Sequence, residues 1–146
     1  MSDKRETLKQ TMLAGVDILK PLMTQHGFVF EMTEAQPGSG GLFVEGVFRR
    51  SSGRTLKLWL RESLSVTYCM ATNCLTHDEY MRFLDCRKQA KYPTFSDNPL
   101  DAFEALASDL ADYCADFLSG DGRQFQAFCA ELSRNPSKFK GFGALE

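Results

Sequence analysis

What the chain lacks narrows its chemistry first. No stretch of the 146 residues approaches the ~20 apolar residues of a membrane span, and Met1 to Gln10 is too polar and charged for an export signal. A cytoplasmic location is therefore expected. Phosphate-binding glycine motifs are missing: Gly38-Ser39-Gly40-Gly41 has neither a following helix nor the lysine of a P-loop. There is no C-x-x-C pair, and five cysteines at irregular spacings (Cys69, Cys74, Cys86, Cys114, Cys129) argue against a disulfide framework, so reduced thiols are expected. Only His26 and His77 can supply an imidazole. With a net charge of −2, global attraction to nucleic acid or anionic membrane is not expected. From Asp97 to Asp121 there is no lysine or arginine.

What is present is a period-2 pattern from Gly41 to Ala71. Leu42, Val44 and Phe48, then Leu56, Leu58 and Leu60, then Leu64, Val66, Tyr68 and Met70 fall on one side of three successive strands. That side predicts a core. The other side carries Phe43, Arg49, Lys57, Trp59 and Arg61 among polar residues, as in an antiparallel sheet with one solvated face. Phe28, Phe30 and Met32 predict an additional strand ahead of these three, and Ala35 to Gly41, with three glycines and a proline, predicts a mobile loop between them.

Helices flank the sheet. Leu8, Met12, Val16, Leu19, Leu22 and Met23 make one stripe on an N-terminal helix that Pro21 disturbs and Gly27 stops. Thr76-His77-Asp78-Glu79 is a capping box for a helix expected to run to about Gln89. Asn98-Pro99 opens a long helix to Leu118, and a final one spans about Gly122 to Arg134. The fold class is thus α+β: a single domain over 1–146 with a four-stranded antiparallel meander, an N-terminal helix and three C-terminal helices packed on it. Residues 137–146 show no period and are expected to be disordered. A chain of this length buries roughly 70% of its unfolded surface and folds alone.

Stepping about 100° per residue along the Pro99 helix gathers Phe103, Leu106, Leu110, Tyr113, Cys114 and Phe117 on one side. Asp97, Asp101, Glu104, Asp109, Asp112 and Asp116 gather on the other, with no intrahelical cation to neutralise them. Such a face steers basic partners.

Three other chemistries can be weighed. Cys69, Cys74, His77 and Cys86 are metal-ligand types, but their spacing matches no zinc ribbon or finger, and no metal or cofactor is expected. Cys74 and His77, three residues apart across a strand-to-helix turn, are the candidate pair for a small cysteine-dependent enzyme. Phe43, Arg49, Lys57, Trp59 and Arg61 interleave aromatic and basic groups, as a single-stranded nucleic-acid surface does.

Four stretches carry a resemblance: Leu19-Lys20-Pro21-Leu22 running into His26-Gly27-Phe28, Arg61-Glu62-Ser63-Leu64, His77-Asp78-Glu79-Tyr80, and Tyr92-Pro93-Thr94-Phe95-Ser96-Asp97-Asn98-Pro99. In these, and in its order of elements, the chain resembles small uncharacterised bacterial α+β proteins, some of which look like immunity partners of secreted toxins. The resemblance implies a bacterial cytosolic protein without catalysis and carries over no functional residue. The expectation is a non-enzymatic protein-binding module, an immunity-type inhibitor. Asp101, Glu104, Asp109, Asp112 and Asp116 would face a basic protein partner, with the oligomeric state left open.

Overall fold

The computed structural model describes residues 2–33, 36–38, 41–94 and 96–135. The expected disordered tail and Phe95 lie outside them. The elements run α1 (Ser2–Gln25), β1 (Val29–Met32), β2 (Gln36–Gly38), β3 (Gly41–Arg50), β4 (Arg54–Leu60), β5 (Leu64–Met70), β6 (Asn73–Thr76), α2 (His77–Phe83), α3 (Pro99–Tyr113), α4 (Ala115–Leu118) and α5 (Arg123–Arg134). The strands form an antiparallel sheet in the order β1-β3-β4-β5-β6, with β2 also paired to β3. No described helix is long and apolar enough to cross a membrane.

The alternation places nine of its ten apolar residues in the core: Val44, Phe48, Leu56, Leu58, Leu60, Leu64, Val66, Tyr68 and Met70 are buried, while Leu42, near the start of β3, is half-buried. They meet Met12, Val16, Leu19 and Met23 of α1, Tyr80 and Met81 of α2, Phe103, Leu106 and Leu110 of α3, Phe117 of α4 and Phe125 of α5 in one cluster. Every helix thus contributes to the core on the inner face of the sheet. Fully burying each large apolar side chain stabilises the fold by about 1.5–3 kcal/mol.

The sheet is larger than the expected four strands. Part of the glycine-rich loop forms β2, whose Gly38 pairs with Gly41. β6 pairs Cys74 with Cys69 and Leu75 with Tyr68. Only Leu75 of its four residues is buried, so no alternation announces it. This short strand also corrects the cysteine expectation. Pairing across the β5–β6 hairpin brings the Cα atoms of Cys69 and Cys74 to 4.1 Å, and the two are joined in a disulfide. In the chain-entropy view a cross-link over so short a loop stabilises by about 2 kcal/mol. Cys86 and Cys114 are buried free thiols, and Cys129 is a partly exposed one.

Two helices end earlier than expected. The capping box at Thr76 forms, with the Glu79 amide donating to Thr76 Oγ1 at 3.2 Å and the Thr76 amide to Glu79 Oε1 at 2.9 Å. The helix stops at Phe83 rather than near Gln89, because the chain turns through Asp85 at φ 59°. The Pro99 helix, capped by Asn98 as expected, breaks at Cys114, and the short α4 follows. Two sheet arginines secure the end of α4. The Arg54 guanidinium donates to the carbonyls of Phe117 at 2.8 Å and Gly120 at 2.6 Å, and Arg50 donates to that of Leu118 at 2.6 Å. These bonds satisfy carbonyls that a helix terminus leaves without partners.

α1 and α3 cross closely at Gly15. A Cβ placed there would stand 2.3 Å from the ring of Phe103, which is fully buried. Alanine is the better helix former by about 1 kcal/mol, yet Gly15→Ala should lower unfolding stability by about 1–3 kcal/mol through overpacking. Denaturant titration reads the sign, and a stabilised variant would refute the close crossing.

Candidate functional site

Four segments of the chain meet at a buried histidine. The capping box starts α2 so that His77, its first residue, turns inward, where it is 2% exposed. Its Nε2 lies 3.0 Å from Asp109 Oδ2, and its Nδ1 lies 2.7 Å from the hydroxyl of Tyr68 on β5. Asp109 also accepts the amides of Lys91, at 2.8 Å to Oδ1, and Tyr92, at 2.9 Å to Oδ2. Because a carboxylate only accepts, Nε2–H donates to Asp109; in the neutral ring Nδ1 then accepts the Tyr68 hydroxyl.

Order alone would make this hydroxyl–imidazole–carboxylate array a catalytic triad. Burial makes it structural. Tyr68 is fully buried, and desolvation holds its phenol well above the ordinary range. Cys114, whose thiol donates to Tyr68 Oη at 3.7 Å, is pushed up to about 12 by burial. A cleft of about 650 Å³ opens beside the array, lined by Ser65, Thr67, Thr76, His77 and Tyr92 among others. Both ring nitrogens of His77 are engaged within the protein, so the ring brings no free base to this cleft.

The cysteine pair proposed from sequence does not assemble. Cys74 is bonded to Cys69 and has no thiol to ionise, while His77 faces away into the core network. The sequence placed Cys74 in a turn before a helix; β6 places it opposite Cys69 instead. Among the described residues no group of three or more His, Cys, Asp or Glu side chains is arranged to hold a metal ion.

The acidic face of the Pro99 helix divides. Glu104 and Asp112 are exposed. Asp101 is half-buried and accepts the Ser96 hydroxyl at 2.5 Å. Asp116 is half-buried, and its Oδ2 accepts the Phe125 amide at 2.9 Å. Asp109 is fully buried and is not a surface residue at all. Its wheel position lies only about 40° from Tyr113, at the margin of the apolar arc, and the segment carrying Lys91 and Tyr92 closes over it. Helical periodicity shows which residues share a side, but not where a distant loop returns.

The outer face of the sheet holds together. Phe43 and Trp59, diagonal neighbours on β3 and β4, bring their ring centroids to 4.7 Å at 45°, and the Arg61 guanidinium lies 4.6 Å from the Trp59 ring centroid. Lys57 stands exposed between Val47 and Thr67, its cross-strand partners. Arg49 pairs with Glu31 of β1 at 3.2 Å, both side chains being largely exposed. Phe43 and Trp59 are half-buried and belong to neither the core cluster nor the side chains packed against it. Of the five residues singled out by alternation, Phe43, Trp59 and Arg61 are in contact, and Arg49 and Lys57 stand exposed on β3 and β4.

Burial alone would raise the Asp109 carboxyl, but hydrogen bonds from His77, Lys91 and Tyr92 outweigh it and hold the group below its usual value. A depressed carboxyl contributes stability that is complete above the unfolded value of about 3.9 and is lost as pH falls through the lowered folded value. Stability of the native sequence should therefore drop below about pH 4. Asp109→Asn should be weaker by about 3 kcal/mol at neutral pH and show a flatter dependence in the acid window. Parallel pH profiles for the two proteins would refute this role.

Comparison with protein-family models, curated proteins and solved structures finds no match for this chain.

Proposed function

We propose that the chain is a non-enzymatic protein-binding module that engages its partner through the outer face of the sheet. The carrying observation is the Phe43–Trp59–Arg61 cluster, with Lys57 exposed near it, on the side of the sheet opposite the helix-packed core. Aromatic residues and arginine dominate the energetics of protein interfaces, because they bury large rigid surface and still offer polar edges. Arg49 is matched by Glu31, which leaves Lys57 and Arg61 against Glu45 as the charge pattern of the face. The partner that fits is a protein surface carrying carboxylates around an apolar centre.

An immunity-type inhibitor acting as a polyanion has less support. Of its five proposed carboxylates, Asp109 is internal and Asp101 and Asp116 accept hydrogen bonds within the fold. Glu104 and Asp112 alone of the five are exposed. The nucleic-acid reading uses the same face, but Arg61 and Phe43 already occupy ring surface on which a base would stack.

Trp59 is the only tryptophan, so its emission reports on this face directly. A protein retained by affinity capture from the native cell extract, then purified, should shift that emission to the blue. Its affinity should fall at least tenfold with Trp59→Ala or Lys57→Glu, the order expected of a central contact. It should weaken at about 0.5 M salt, where screening shortens the reach of charge, and survive Glu104→Lys with Asp112→Lys. Loss through the helix variants alone would return the role to the acidic face. Quenching by a single-stranded oligonucleotide, with no protein partner, would replace the proposal by the nucleic-acid reading.

A further inference from the structure

The disulfide lies at the far end of the same outer face, in the cross-strand row Val29, Arg49, Thr55, Cys69, Cys74. Its two cysteines differ in exposure. Cys69 is 2% exposed, whereas Cys74 lies on the exposed edge strand β6. β6 has four residues and ends at Thr76, the cap that starts α2 and turns His77 into the core network. Inward burial of Leu75, an Asn73–Gln126 hydrogen bond at 3.0 Å and the ladder to β5 are its other attachments. The cross-link therefore sits on a four-residue edge strand that runs directly into the helix carrying the buried histidine.

We propose that Cys69–Cys74 is a site of reversible exchange with small thiols, and that opening it loosens β6 and α2 while β3, β4 and β5 stay folded. The external thiolate attacks Sγ of Cys74, the exposed residue of the pair, and forms a mixed disulfide there. Cys69 leaves as a thiolate and takes up a proton. A second thiolate attacks the external sulfur of the mixed disulfide, releasing the oxidised small-molecule disulfide, and Cys74 is protonated in turn. Two thiols are oxidised and one protein disulfide is reduced, with two electrons and two protons transferred. The other cysteines do not compete as internal attackers: Cys86 and Cys114 are buried, and burial pushes the Cys129 thiol up to about 11.

The test uses the full chain in native buffer with glutathione as the probe. Free thiols are first blocked, glutathione is added, and newly exposed thiols are labelled and located by mass spectrometry. Glutathionylation should appear first at Cys74, and the newly freed, labelled thiol at Cys69. Hydrogen exchange at Leu75 and at Leu84, whose amide bonds to the Tyr80 carbonyl, should then accelerate at least tenfold, with Leu56 to Leu60 unchanged. The Cys69→Ala, Cys74→Ala double variant should show the accelerated pattern without glutathione and no response to it. A bond opened only as fast as the whole protein unfolds would overturn the proposal. So would a reduced protein whose exchange at Leu75 and Leu84 is unaltered, which would make the cross-link an inert staple.

Discussion

The structure depends on the contact between His77 and Asp109. Few residues are so far committed: one carboxylate takes a ring nitrogen and two backbone amides, and the other ring nitrogen takes a phenol. Through these bonds α2, α3, β5 and the segment before α3 are fixed to one another by buried side chains. The arrangement is expensive to break because each group is desolvated, and a partner removed leaves the other buried without compensation. It also keeps the triad-like array away from the surface. A catalytic hydroxyl must meet a substrate, and the Tyr68 phenol meets only Cys114, His77 and the rings packed against it.

Much of the framework was legible because it is periodic. Leu56, Leu58 and Leu60 alternate with Lys57 and Trp59, so the two faces of β4 could be assigned from the chain alone, and Thr76 with Glu79 marked the start of α2. β6 was not legible, since Asn73, Cys74, Leu75 and Thr76 contain a single buried apolar residue. Missing that strand concealed the disulfide, which depends on register rather than on spacing along the chain. Asp109 was misplaced for a similar reason. A helical wheel records the helix itself, and the amides of Lys91 and Tyr92 arrive from elsewhere. Periodicity carried the elements; contacts between distant segments required the fold.

The two sides of the sheet divide the labour of the molecule. The inner side spends its aromatic residues on cohesion, with Tyr68, Tyr80, Phe117 and Phe125 in edge and tilted contacts. The outer side keeps Phe43 and Trp59 outside that cluster, beside arginine and lysine. Alternation makes the division possible, because neighbouring residues on one strand belong to opposite surfaces. A substitution such as Trp59→Ala therefore leaves the packing of Leu58 and Leu60 largely in place, so a change on the outer surface is separable from the core within a single strand.

Arg54 has a consequence for how the chain is made. It belongs to β4 and is buried, yet its carbonyl acceptors lie between Asp116 and Gly120, more than sixty residues later. A guanidinium has no favourable place in an apolar interior until those carbonyls arrive. During synthesis the nascent meander therefore carries a hydrated cation on the face that will become its core, beside Leu56 and Met70. A charge in that position opposes apolar contact between half-made sheets, and the same residue closes α4 once the chain is complete.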